Sequence, residues 1–168
     1  MDGRLTRYDR WMQQTMNRRE AAPLYATAAR RRVLVVVHTV LTAAFVTAFL
    51  AALIDSSMVA ACLLIALLLP WCVATGAINA STRGLLELRR RALDERQRAE
   101  RSEVLARAHR ITTALLLATV AAAGGYELAG GTLGGATVFR VLLCVLVTHW
   151  LMPMWVAGLR AQDEPDDE

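Results

Sequence analysis

The run from Val33 to Ile54, VLVVVHTVLTAAFVTAFLAALI, and the run from Ser56 to Thr82, SSMVAACLLIALLLPWCVATGAINAST, contain no Asp, Glu, Lys or Arg. A bilayer core about 30 Å thick takes roughly 20 residues of helix at a 1.5 Å rise, and lipid offers no partner to an unpaired backbone group. Each run is therefore long enough to cross a membrane as one helix. The connection is only a few residues around Asp55, Ser56 and Ser57, so the two helices are expected to form an antiparallel hairpin.

Two more runs extend the pattern. Ile111 to Tyr126 is apolar up to Glu127, and Val141 to Leu159 follows Arg140. Gly124, Gly125, Gly130, Gly131, Gly134 and Gly135 make the connection between them flexible. The expected fold is all-α: an integral membrane protein with four transmembrane helices in two antiparallel hairpins, an N-terminal amphipathic helix and a cytoplasmic helical extension. Spans are expected at 33–54, 57–78, 111–128 and 136–159 inside a membrane domain at 33–159. A basic leader at 1–32, a charged helical segment at 79–110 and an acidic tail at 160–168 complete the chain. A length of 168 residues, 55% of them hydrophobic, with a mean hydropathy of +0.36, suits one compact membrane unit.

Charge gives the orientation. All 19 basic residues are arginine. Arg4, Arg7, Arg10, Arg18, Arg19, Arg30, Arg31 and Arg32 precede the first span, and nine more lie between Asn79 and Arg110, whereas neither opposite loop has one. Positive residues stay on the cytoplasmic side, so both termini are expected inside, in a bacterial inner membrane. The formal charge of +4 then points to anionic lipid headgroups, with Arg30, Arg31 and Arg32 at the membrane border, and not to nucleic acid. The region before the first span, and that span itself, are too long for a cleaved signal peptide.

In the leader, Leu5, Tyr8, Met12 and Met16, with Trp11 beside them, follow helical spacing while arginines occupy the other faces, as in a helix lying among headgroups; a helix packed on its own protein, or a frayed tail, is the alternative. In the central segment, the pairs Glu87 and Arg91, Asp94 and Arg98, Arg96 and Glu100, and Glu103 and Arg107 stand four residues apart. On one helix face each contributes about 0.2–0.5 kcal/mol. A helical hairpin, or two membrane helices prolonged into the cytosol, would satisfy them.

The segment LDERQ at Leu93 to Gln97, followed by AHRIT at Ala108 to Thr112, resembles small multi-pass membrane proteins of bacteria, actinobacterial ones included, that have no assigned activity. The likeness covers about twenty residues and transfers no catalytic residue. It implies that Asp94, Glu95 and Arg96 form a cytoplasmic contact that sets how the second and third helices meet.

Ionisable groups inside lipid call for a functional hypothesis, because placing one there costs roughly 2.5–3.5 kcal/mol. Here the candidates are His38 and His149, whose depths differ by about 6 Å at 1.5 Å per residue. Facing each other, they could ligate a haem iron or relay a proton. Otherwise each hydrogen-bonds a neighbouring helix through groups such as Thr39, Thr42 or Thr148. Glu127 and Arg140 flank the glycine-rich connection and are expected to pair there. Ala44, Ala48 and Ala52 recur every four positions and mark a close helix contact, within the chain or with a second copy. Pro70 and Pro153 are expected to kink their helices, and Trp71, Trp150 and Trp155 to pack or to anchor at the interface. No catalytic, cofactor or metal-ligand spacing stands out; Cys62, Cys72 and Cys144 behave as small hydrophobes.

The function expected is therefore that of a non-enzymatic accessory, assembly or regulatory subunit acting through its charged cytoplasmic helices, on a membrane-protein partner or as a homo-oligomer. A small transporter or channel subunit using the two histidines, and a haem-binding redox protein, are the alternatives.

Overall fold

The computed structural model describes residues 6–16 and 25–161. Arg4, Leu5, Arg18, Arg19, Pro23 and the acidic tail from Asp163 to Glu168 lie outside them, as do the side chains of Met16 and Arg91. The described residues form five α-helices: α1 (Arg7–Met16), α2 (Ala28–Ile54), α3 (Met58–Ser81), α4 (Glu95–Leu128) and α5 (Gly135–Arg160), with one 3₁₀ turn at Arg90–Ala92. The protein is all-α, and α2 to α5 are each long and apolar enough to cross a membrane.

Local chemistry sets the helix ends. Thr27 caps α2 by accepting from the Arg30 amide, and Ser57 caps α3 by accepting from Ala60. Between them the chain reverses at Ser56, whose φ of 51° is left-handed. At the other end of α3, the Arg83 amide donates to Ala80 and the Gly84 amide to Asn79, with φ of 52° and 69°. This is a Schellman stop, and glycine adopts its backbone without strain. Asp94 then starts α4 with a capping box: its carboxylate accepts from the Gln97 amide at 2.7 Å, and the Gln97 side chain accepts from the Asp94 amide at 3.1 Å.

The expected helix through 79–110 is therefore corrected. Residues 82–94 form turns, because α3 stops at its cap and Leu85, Leu88 and Leu93 turn inward to burial. Glu87 and Arg91 do not share an α-helical face. Only α4 is prolonged: its 34 residues span about 51 Å at 1.5 Å each, and its apolar part begins at Ile111.

Helix α2 packs along α3 and α4 along α5, while α5 also touches α2 and α3. Of the apolar window of α5, 39% is buried, against 6% for α4, so α5 is the central helix and α4 the peripheral one. Two clusters form the core. Val35, Ile78, Leu151 and Met154 make one; Leu85, Val104, Ala108, Met152, Val156 and Ala157 make the other. Both lie where α2 and α4 begin and α3 and α5 end, beside the arginine-rich segments. A Cβ on Gly158 would stand 3.0 Å from Ile78 Cγ2 and 3.1 Å from Val35 Cγ2, so the lack of a side chain lets α5 approach both neighbours. Elsewhere, side chains such as Val36, Val40, Ile65, Leu69, Leu117 and Val120 face outward, as suits helices surrounded by hydrocarbon.

Candidate functional site at the arginine-rich end

The turn segment 82–94 is the floor of the site, and arginines of α4 hold it. A loop without regular structure leaves carbonyls to satisfy, and two arginine side chains do so here. Arg101 Nη1 donates to the Leu88 carbonyl at 2.7 Å, and Arg98 Nε donates to those of Arg90 and Leu93 at 3.1 and 3.0 Å. Below them the buried Leu85 joins Val104 and Val156, so the loop is anchored on both its polar and its apolar side.

Helix α1 docks on the same loop. Thr6 and Asp9 cap it reciprocally: Asp9 Oδ2 accepts from Thr6 N at 2.9 Å and Thr6 Oγ1 at 2.7 Å, while the Asp9 amide donates to Thr6 Oγ1. The Asp9 side chain is buried, with Arg89 Nε 4.0 Å from its Oδ1. The Arg89 guanidinium lies 5.2 Å from the centroid of the Tyr8 ring, and Gln13 Nε2 donates to the Ala92 carbonyl at 3.1 Å. Trp11 is 57% exposed on this helix, with Arg7 and Arg10 exposed beside it. Arg160 Nη2 donates to Glu103 Oε2 at 2.8 Å, tying the end of α5 to the prolonged part of α4.

One carboxyl here is strained electrostatically. Burial pushes Glu87 above the ordinary carboxylate range, against backbone hydrogen bonds and the Arg101 charge that pull it down. Its Oε2 is buried without a hydrogen-bond partner among the described residues.

The candidates named from sequence take separate places. Asp94 is the α4 cap, with Glu95 and Arg96 exposed in the first turn. Arg31 is buried and donates through Nη1 to the Tyr25 carbonyl at 3.0 Å, whereas Arg30 and Arg32 are exposed. Glu127 does not meet Arg140: its Oε1 accepts from the Leu133 amide at 2.8 Å, closing the connection locally, and no ion pair joins the two among the described residues. The alanine strip is split, with Ala48 buried, Ala52 half-buried and Ala44 exposed. The buried line of α2 runs instead through Val35, His38, Thr42 and Ala48. Pro70 and Pro153 sit inside helices that continue past them.

His38 and His149 do not share a site. His38 is fully buried between α2, α3 and α5. Its Nδ1 accepts from Trp155 Nε1 at 2.9 Å, and its Nε2 lies 3.0 Å from Thr75 Oγ1. The Thr75 hydroxyl donates to the Trp71 carbonyl, so its oxygen accepts from His38, which fixes a neutral imidazole carrying its proton on Nε2. Thr42 donates to the His38 carbonyl at 2.8 Å and accepts from Trp71 Nε1 at 2.9 Å. Both ring nitrogens are thus engaged by protein. Thr42 was an expected partner; Thr75, Trp71 and Trp155 were not, although an indole N–H inside lipid is a donor that needs an acceptor. His149 is exposed and lines a groove of about 170 Å³ between α4 and α5 with Thr112, Leu115, Leu116, Thr119, Cys144, Val145 and Thr148.

Comparison with known proteins gives no matching family model, no similar curated protein and no similar solved structure. What the site presents outward is the pair of exposed guanidinium groups of Arg7 and Arg10 beside the exposed rings of Tyr8 and Trp11.

Proposed function

We propose that this chain is a non-enzymatic component of a bacterial inner membrane, with four spans in two antiparallel hairpins and both ends in the cytoplasm. Its working surface is the arginine-rich cap built from α1, the 82–94 turns and the start of α4. There it meets anionic headgroups and a membrane-protein partner as an accessory, assembly or regulatory subunit. Asp94, Glu95 and Arg96 belong to this surface, as do Arg30 and Arg32.

The observation that carries the reading is the structured cap at the end where the arginines gather. Arg98 and Arg101 hold the loop rigid, so Arg7, Arg10, Trp11 and Tyr8 face outward from a fixed scaffold. Phosphate groups bind to guanidinium, and amphipathic aromatic rings favour the headgroup level.

Reporter fusions at the two ends test the topology, and both must register cytoplasm. The cap is tested with the full chain reconstituted in vesicles that contain either anionic or zwitterionic lipid. Trp11 should show a blue-shifted, quencher-protected emission only in the anionic vesicles, and Arg7→Gln with Arg10→Gln should abolish the difference. Equal emission in both lipids would refute the headgroup role.

A further inference from the structure

On the membrane-embedded part of α5, Thr148, His149 and Trp150 follow one another, about 15 Å along the axis from Arg160 and hence near the middle of a bilayer. Their side chains have no hydrogen-bond partner among the described residues. Trp150 is 79% exposed, away from the interface belts where tryptophan is ordinarily found. Next to it lies the groove between α4 and α5, about 170 Å³ in volume, with His149 and Thr148 in its wall. No charged side chain lines it. An imidazole, a hydroxyl and an indole N–H left facing hydrocarbon are costly, and polar side chains of this kind join helices in membranes.

We propose that this groove receives a second copy of the chain, with Trp150 of each protomer entering the groove of the other and donating its indole N–H to His149 there. The chain already uses that bond once: Trp155 Nε1 donates to His38 Nδ1 at 2.9 Å inside the bundle. The α5 face carries both the donor and the acceptor, so a twofold axis satisfies both copies with one contact, as an isologous interface requires. The volume supports an inserted ring, since a cavity of about 150 Å³ accepts benzene. Helix α4 fits the arrangement because α5 covers so little of it that one of its sides stays open to a neighbour.

The inference rests on the membrane reading above, and one experiment separates their failures. Full-length chains carrying donor or acceptor fluorophores at the C-terminus are reconstituted together in lipid vesicles, and energy transfer is followed as the protein is diluted in lipid. Failure to incorporate would count against the membrane reading itself. After incorporation, the expected result is transfer that falls with dilution along a monomer–dimer curve. Trp150→Phe keeps a ring and loses two symmetric hydrogen bonds, each worth about threefold in a membrane, so dimerisation should weaken roughly tenfold. His149→Leu should match it, and Trp150→Ala should weaken the dimer further. No transfer by the wild type, or equal transfer by wild type, Trp150→Phe and His149→Leu, overturns the proposal. So does a wild type that gives no transfer yet binds a small naphthoquinone such as menadione in a way His149→Leu abolishes, because the groove would then be a ligand site.

Discussion

Trp155→Phe tests the polar junction that holds α2, α3 and α5 together. The change keeps an aromatic ring against His38, whose centroid is 6.2 Å from that of Trp155, but removes the donor to Nδ1. With His38 fully buried, that nitrogen is left as an unsatisfied acceptor, since the Thr42 hydroxyl at 3.5 Å already donates to the His38 carbonyl. Orphaning a buried acceptor costs about 1–3 kcal/mol, while interhelical hydrogen bonds in membranes average about 0.6 and reach about 1.7 kcal/mol. The expected loss is therefore about 1–2 kcal/mol. Trp71→Phe should cost less, because the Thr42 oxygen it abandons keeps its own donor bond. The assay is reversible unfolding in mixed micelles, run as a double-mutant cycle with His38→Leu. Removing the imidazole first leaves Trp155→Phe with no acceptor to orphan, so the cycle should show a coupling of about 0.6–1.7 kcal/mol. Strict additivity would refute the junction as a cooperative unit.

Other perturbations should be as specific. Burial raises the Glu87 carboxyl, so the folded chain holds this proton more tightly than the unfolded one. The resulting stabilisation is full below the ordinary value of 4.5 and is lost as pH rises through the elevated one. Glu87→Gln should therefore be more stable than wild type near neutrality and lose that advantage in acid, as thermal unfolding across pH would reveal. Gly158→Val should destabilise by about 1–3 kcal/mol through overpacking against Ile78 and Val35, whereas Gly76→Val, with open space around its Cβ, should not; melting temperatures in detergent compare them. Asp94→Ala should cost about 1 kcal/mol through loss of the capping box. Asp94→Asn keeps an acceptor at the same place, so near wild-type stability in the same melting assay would identify Asp94 as a cap.

Much of the architecture was legible because hydrocarbon imposes a single rule, about 20 apolar residues per crossing, and the chain obeys it with few interruptions. The four-residue spacing of Glu87 and Arg91 does not place them on one helix face, since spacing presupposes a helix and the stop at Arg83 and Gly84 removes it. The leucines of that loop carried the missing signal: Leu85, Leu88 and Leu93 had to find burial, and the loop bends to give it. Glu127 and Arg140 were matched by depth and opposite charge, but a backbone amide six residues away was nearer than the guanidinium. The alanine strip lies only partly on the buried face of its helix, with Ala48 buried and Ala44 exposed. In α2 the polar contacts of His38 and Thr42 set which face turns inward, and Ala44 lies off that face.

Arginine chemistry bears on how the proposed cap would act. Sequence displays arginine as charge, yet in this fold Arg31, Arg98 and Arg101 also donate to the carbonyls of Tyr25, Leu88, Arg90 and Leu93. Some basic residues of the cap therefore hold the loop, the exposed Arg98 among them, while Arg7 and Arg10 stand exposed on the helix docked against it. In the proposed headgroup role, an anionic surface would meet Arg7, Arg10 and Arg32 as charges on helices already in place, which would reduce the ordering cost of binding. Replacing a clamp such as Arg101 should then weaken headgroup binding without removing any charge that faces the lipid.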